Sequence, residues 1–163
     1  EINNLIQFKT HLKSIKYPLV QEKLIPYSSH RFKEKEEFTC SFFTLKNKDT
    51  LGPFVARRIL KFGTSWIIDV NHSKSEIIKL INKISKKIDN LGSFNIQLIN
   101  TKKGPTPFEF NSRFSGTTSI RSKFGFNEPE FFIKDNFLKK KLSSKKIKIK
   151  NGSVLRYIAE KVI

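Results

Sequence analysis

The sequence has no methionine, one tryptophan and one cysteine in 163 residues. Cys40 alone excludes an internal disulfide and a cysteine-built metal cluster, and a lone thiol suits a reducing cytoplasm. Long apolar runs are absent. Stretches such as Trp66-Ile67-Ile68 are strand-sized, far short of the roughly 20 residues that span a bilayer. The first twenty residues carry scattered lysines and no continuous apolar core, so no signal peptide is expected in them. Histidine is scarce as well: His11, His30 and His72 share no ligand spacing, and no Ser-His or Cys-His arrangement suggests a covalent nucleophile. The chain opens on Glu1 rather than methionine, so a piece of a longer polypeptide is expected.

Acidic residues are few, 14 against 32 basic ones, leaving a formal charge of +18. That balance raises the prospect of nucleic acid or an anionic membrane as partner. However, 26 of the basic residues are lysine and only six are arginine. Lys, Ile, Asn and Phe all have AT-rich codons, so codon bias accounts for much of the excess. The densest tract runs Lys139-Lys140-Lys141, then Lys145, Lys146, Lys148 and Lys150. It reads as a phosphate-binding stripe or as a solvated lysine-rich surface; having no arginine or aromatic, it leans to the second.

Apolar residues make up 37% of the chain and phenylalanine alone supplies 16, enough to bury a core in one domain. The pattern is mixed α and β without repeats. Helical spacing over residues 2–15 ends at Tyr17-Pro18. Leu19–Ile25 is expected as a strand closed by Pro26, Tyr27–Glu36 as a loop, and Glu37–Leu45 as a second strand. Further strands are expected over Phe54–Leu60 and Ser65–Val70, flanking Gly63. Ile77, Ile81, Ile84, Ile88 and Leu91 form one apolar helical stripe, with Ser73 or Ser75 as cap and Gly92 as stop. Phe94–Asn100 and Pro107–Asn111 form a hairpin around Lys102-Lys103-Gly104-Pro105. Short helices near 117–124 and 128–138 follow. Two closing strands, Lys146–Ile149 and Val154–Ile163, are joined at Asn151-Gly152.

The chemistry lies on the 94–111 hairpin. Alternation turns Glu109, Asn111 and Arg113 to one side and Phe108 and Phe110 to a core. Gln97 falls opposite or beside Glu109. Gln97, Glu109 and Asn111 thus gather oxygen donors of the kind Mg²⁺ binds, with Arg113 at the edge to hold phosphoryl oxygens. An ordinary polar outer face has the same spacing, and spacing alone does not choose.

The stretch Gly92-Ser93-Phe94-Asn95-Ile96-Gln97, followed by Phe108-Glu109-Phe110-Asn111-Ser112-Arg113-Phe114-Ser115-Gly116-Thr117-Thr118, resembles the catalytic signature of the ATP-grasp superfamily. That signature is an N-x-Q strand and then an E-x-N-x-R strand. The nearest likeness is to bacterial proteins similar to the carbamoyl-phosphate-synthase large subunit, and it extends to Arg121–Glu130 and Gly152–Tyr157. Val20–Ile25 resembles the adenine hinge, and Glu37–Cys40 the strand that reaches ribose. The implied fold is α+β, the C-terminal part of an ATP-grasp fold: an antiparallel sheet with flanking helices. About 1–45 would close the central nucleotide-binding subdomain, and about 46–163 would form the metal-binding subdomain.

The resemblance implies ATP with Mg²⁺ or Mn²⁺ as cofactors. Gln97, Glu109 and Asn111 would be the metal ligands and Arg113 the phosphate-holding group. Glu22 and the Leu24 backbone would meet adenine, and Glu37 ribose, with Glu36 one register away. Arg57, Arg58 and Lys61 would face phosphates or substrate. Ser112 stands where many relatives have proline, and the 27–36 loop lacks the usual glycine. The implied reaction activates an unidentified carboxylate through an acyl phosphate for attack by an amine. The glycine-rich loop expected before the hinge is missing from residues 1–18, so an N-terminal half supplied in cis or as a subunit is the expected partner. A chain lacking it is expected to be weakly active. The alternative is a basic nucleic-acid-binding domain, which needs phenylalanines exposed beside clustered cations.

Overall fold

A computed structural model describes residues 2–27, 36–71 and 74–157. Helix α1 (Leu5–Ser14) is followed by β1 (Glu37–Thr44), β2 (Thr50–Lys61), β3 (Thr64–Asp69), α2 (Ser75–Ser85), β4 (Gly92–Thr101) and β5 (Gly104–Asn111). Helices α3 (Thr118–Lys123) and α4 (Glu128–Asn136), a 3₁₀ turn at Ser144–Lys146, and β6 (Ser153–Leu155) complete it. The strands form one six-stranded sheet in the order β5-β4-β1-β2-β3-β6, and every pairing is antiparallel. The α+β class and the antiparallel sheet with flanking helices are as expected.

Two cores sandwich the sheet, and the alternation of β1 assigns residues to each. Phe38, Cys40 and Phe42 face α2, joining Val55, Phe94, Ile96, Leu98, Ile77 and Ile81. Phe43 and Leu45 face the other way, with Phe54, Ala56, Ile68, Ile120, Phe126 and Phe131 under α3 and α4. Each fully buried phenylalanine contributes about 2–3 kcal/mol. Thr39 and Ser41, on this second face, are buried polar residues.

Helix α4 starts where its sequence dictates. The Asn127 side chain accepts from the Glu130 backbone N–H at 3.3 Å, and Pro129 stands in the first turn, where its missing N–H costs nothing. The preceding turn requires glycine: Gly125 has φ 90°, and the Lys148 carbonyl oxygen lies only 2.4 Å from where a Cβ would sit.

Four expectations are corrected. Leu19–Ile25 is not a strand: it is extended without a ladder, and Leu19, Val20 and Ile25 remain exposed. Gln21 Nε2 donates to the Phe108 carbonyl at 3.4 Å, and just past the segment the Tyr27 N–H donates to Asn100 O at 2.7 Å. Helix α2 stops at Ser85 and begins after Lys74, which makes no side-chain cap, so Ser75 is its first residue rather than its cap. Gly92 instead opens β4. Phe110 is half exposed on edge strand β5, where its ring lies 6.2 Å from that of Phe94. Residues 146–149 form no strand, and the last strand is only Ser153–Leu155. Most of the expected 27–36 loop, Ser73, and residues 158–163 of the expected closing strand lie outside the described residues. No described helix is long and apolar enough to cross a membrane.

Candidate functional site

The face of the sheet that carries α3 and α4 is apolar at one end and polar at the other. Glu37 and Thr39 of β1, Arg58 of β2, Asn95 and Gln97 of β4, and Glu109 and Asn111 of β5 make up the polar end. Register fixes it: Gln97 pairs with both Thr39 and Glu109, and Asn95 pairs with Ser41 and Asn111. A bulge between Gln97 and Leu98 takes up the extra residue Phe108 and keeps Glu109 opposite Gln97.

The hairpin cluster is bonded internally. Asn111 Nδ2 donates to Glu109 Oε1 at 2.7 Å, which holds the carboxylate and leaves Asn111 Oδ1 available. Arg58 bridges Glu37 and Gln97: Nε donates to Glu37 Oε1 at 2.9 Å, and Nη2 donates to both Glu37 Oε1 and Gln97 Oε1. Arg113 is exposed and donates to the Phe114 carbonyl at 2.9 Å. A crevice of about 130 Å³ opens beside these groups, lined by Arg58, Ser65, Asn95, Gln97, Gly116 and Thr117. Arg156 ties its rim, donating to Thr64 Oγ1 at 2.7 Å and to the Gly116 carbonyl at 2.8 Å.

Beneath the polar end sits an ion pair with no solvent exposure. Arg121 Nη1 lies 3.1 Å from Glu128 Oε2, and Nη2 donates to Thr39 Oγ1 and Asn95 Oδ1. Glu128 Oε1 accepts from Ser41 at 2.5 Å and Ser93 at 2.6 Å. Burial pushes the Arg121 pKa down, against the opposing pull of Glu128. Burial also pushes the Cys40 thiol up to about 12, against the pull of Arg121 and Arg58.

The structure therefore brings together Gln97, Glu109, Asn111, Arg58 and Glu37, with Arg113 on the loop that leaves β5. Arg57 is not among them. Alternation turns it to the α2 face, where it meets Asp69 at 3.5 Å, and this corrects the expectation that both arginines face one ligand. Glu36 and Glu37 separate in the same way: Glu36 bonds Lys74 at 2.8 Å and Asn100 at 2.6 Å, leaving Glu37 as the carboxylate on the site face. Glu22 and Leu24 border a hollow of about 380 Å³ with Thr101, Lys103 and Thr106 at the hairpin turn. Sequence reasoning gave no role to Asn95, Arg121, Glu128 or Arg156, although all four lie in the stretches that carry the resemblance, and Asn95 shares the parity of Gln97 two residues away.

Among the described residues no three His, Cys, Asp or Glu side chains cluster for a metal. One carboxylate with amide oxygens nevertheless fits Mg²⁺, which keeps waters and takes phosphate oxygens as its other ligands. Phe38, Phe42, Phe43, Phe54 and Phe126 are in the core, whereas Phe62, Phe114, Phe132 and Phe137 are exposed, Phe62 beneath Lys61 Nζ.

The sequence model of the family described as "ATP-grasp in the biosynthetic pathway with Ter operon" matches residues 34–160. None of the curated proteins matches the sequence. Among solved structures, the biotin carboxylase domain of Hydrogenobacter thermophilus 2-oxoglutarate carboxylase, in complex with MgADP, ADP and bicarbonate, superposes with a TM-score of 0.57 at 16% identity. The match covers 72% of this chain and 28% of that one. N5-carboxyaminoimidazole synthetase from Staphylococcus aureus, complexed with ADP, gives 0.53 at 11% identity, over 66% of this chain and 31% of that one. The Aquifex aeolicus phosphoribosylaminoimidazole carboxylase ATPase subunit gives 0.52 at 16%, over 80% and 46%. The chain thus spans less than half the length of these structures and shares part of their fold.

Proposed function

The chain belongs to the ATP-grasp family, and from that premise we propose that it forms the metal- and phosphate-holding wall of an ATP-dependent carboxylate ligase. The observation that carries this reading is the cross-strand pairing of Gln97 with Glu109, with Asn111 bonded to the same carboxylate. Within the superfamily we place the chain nearest the proteins similar to the carbamoyl-phosphate-synthase large subunit, on the likeness carried by residues 121–130 and 152–157. A cytoplasmic setting goes with this reading.

Glu109, Asn111 and Gln97 would hold Mg²⁺, which supplies charge neutralisation during phosphoryl transfer. The substrate carboxylate attacks the γ-phosphorus; the new O–P bond forms as the bond to ADP breaks. An amine then adds to the acyl phosphate carbon, and inorganic phosphate leaves with the C–O bond. Arg113, exposed on the loop that leaves β5, would pair with phosphoryl oxygens as charge moves. The crevice beside Arg58 and Thr117 has room for the carboxylate. Glu22 and Leu24 would border adenine. Glu37 would reach ribose only by sharing its carboxylate with Arg58. Arg57 takes no part, since it faces α2.

Such chemistry needs ATP enclosed on both sides, because positioning and water exclusion supply much of the rate. We assign the described residues to the C-terminal portion of the fold, the second wall coming from polypeptide in cis or from a subunit. The exposed apolar side chains Leu5, Ile6, Leu19, Val20 and Ile25 support this assignment. The test is Mg²⁺-dependent ADP formation with both walls present. Glu109→Gln is expected to abolish it with the far-ultraviolet circular dichroism unchanged, and unaltered turnover would remove Glu109 from the mechanism.

A further inference from the structure

The ion pair under the hairpin is not used by the chemistry above. Arg121 and Glu128 are fully buried and Asn95 is 1% exposed. The planar guanidinium works in two directions: Nη1 meets Glu128, and Nη2 meets Asn95 Oδ1 and Thr39 Oγ1. Asn95 Oδ1 also accepts from Thr39 Oγ1 at 3.3 Å, so both neighbours turn that oxygen inward. The amide nitrogen of Asn95 has no acceptor among the described residues, and Asn95 lines the crevice beside Gln97. Across the hairpin it pairs with Asn111.

We propose that Arg121 is a positioning residue that fixes the Asn95 amide, so that Nδ2 is presented to the crevice as a preset donor for a ligand oxygen. Glu128 keeps the guanidinium charged and in plane, and the Ser41 and Ser93 hydroxyls hold Glu128 in turn. Stability alone is a weak reason for such a pair, since well-packed apolar residues replace buried ion pairs with little loss or a gain. Lysine retains the charge but cannot reach Glu128 and Asn95 together, because it lacks the forked donor geometry. The consequence for catalysis rests on the ligase reading, whereas the orientation of Asn95 does not.

The test follows the side-chain NH₂ signals of Asn95 by two-dimensional ¹H–¹⁵N NMR, assigned through their loss in Asn95→Asp. In Arg121→Lys the pair is expected to move to the position of a free amide while the backbone spectrum stays dispersed. Unmoved Asn95 signals would overturn the proposal. If Arg121→Lys does not fold, the double variant Arg121→Met with Glu128→Leu takes its place, and failure of that variant to fold as well would mark the pair as structural and overturn the proposal. In the active assembly, Arg121→Lys is expected to lower kcat for ADP formation about a hundredfold with KM for ATP little changed. Combining it with Asn95→Ala should be no slower than Asn95→Ala alone, whereas additive losses would count against action through Asn95. If the unmutated assembly makes no ADP, the ligase reading fails while the NMR arm still decides how Asn95 is held.

Discussion

Arg58 Nη2 stands 2.6 Å from Gln97 Oε1, the oxygen that the ligase reading gives to a divalent cation. The guanidinium and the metal therefore compete for one acceptor, and a bound cation has to displace the arginine or leave it with Glu37. Arg58→Met is expected to raise the affinity for Mg²⁺ alone about tenfold, the worth of one hydrogen bond to a charged group. It should weaken MgATP binding, because a cation beside the phosphates is lost. Calorimetric titration with each ligand checks both signs.

Gly125 is expected to be irreplaceable. Its φ of 90° disfavours any side chain, and a Cβ would lie 2.4 Å from the Lys148 carbonyl oxygen. Gly125→Ala should lose on the order of 3 kcal/mol, combining left-handed strain with overpacking against backbone. Urea denaturation measures the loss; a cost below 1 kcal/mol, the level of an ordinary surface change, would show that the contact between Gly125 and Lys148 is loose.

Cys40 gives a pH prediction. Its thiol is held protonated up to about 12 in the fold, against a usual value of 9.0. The folded state thus keeps a proton that the unfolded chain releases first. The resulting stability is fully present below pH 9 and declines as pH rises toward 12. The expected slope is about 1.4 kcal/mol per pH unit at most. Subtracting the curve of Cys40→Ala from that of the unmutated chain isolates it from lysine titration. In the native state at neutral pH the thiol should resist iodoacetamide, and it should react on unfolding.

What the sequence made legible follows from local rules. The β4–β5 hairpin could be read because a turn at Lys102-Lys103 joins two period-two patterns, but that turn alone sets Gln97 against Phe108, and the bulge that brings Glu109 opposite it could not be read. The stripe of α2 could be read from Ile77 to Ile84, but its end could not: Ile88 packs against the core from outside the helix. Leu19–Ile25 has the composition of a strand without a ladder partner, and only tertiary context shows that. Arg57 and Arg58 look equivalent as neighbours, yet adjacent strand residues face opposite ways. Arg121 and Glu128 lie seven residues apart across the Gly125 turn, and no periodicity announces that α3 and α4 bring them under Ser41 and Asn95.

The most direct measurement replaces Mg²⁺ with paramagnetic Mn²⁺ and observes the side-chain amide signals of Gln97 and Asn111 in the presence of excess ADP. Strong broadening of both pairs, abolished by Glu109→Gln, is the predicted result. Sharp Gln97 and Asn111 signals, with broadening elsewhere on the surface, would contradict the assignment of this hairpin as the metal–nucleotide site.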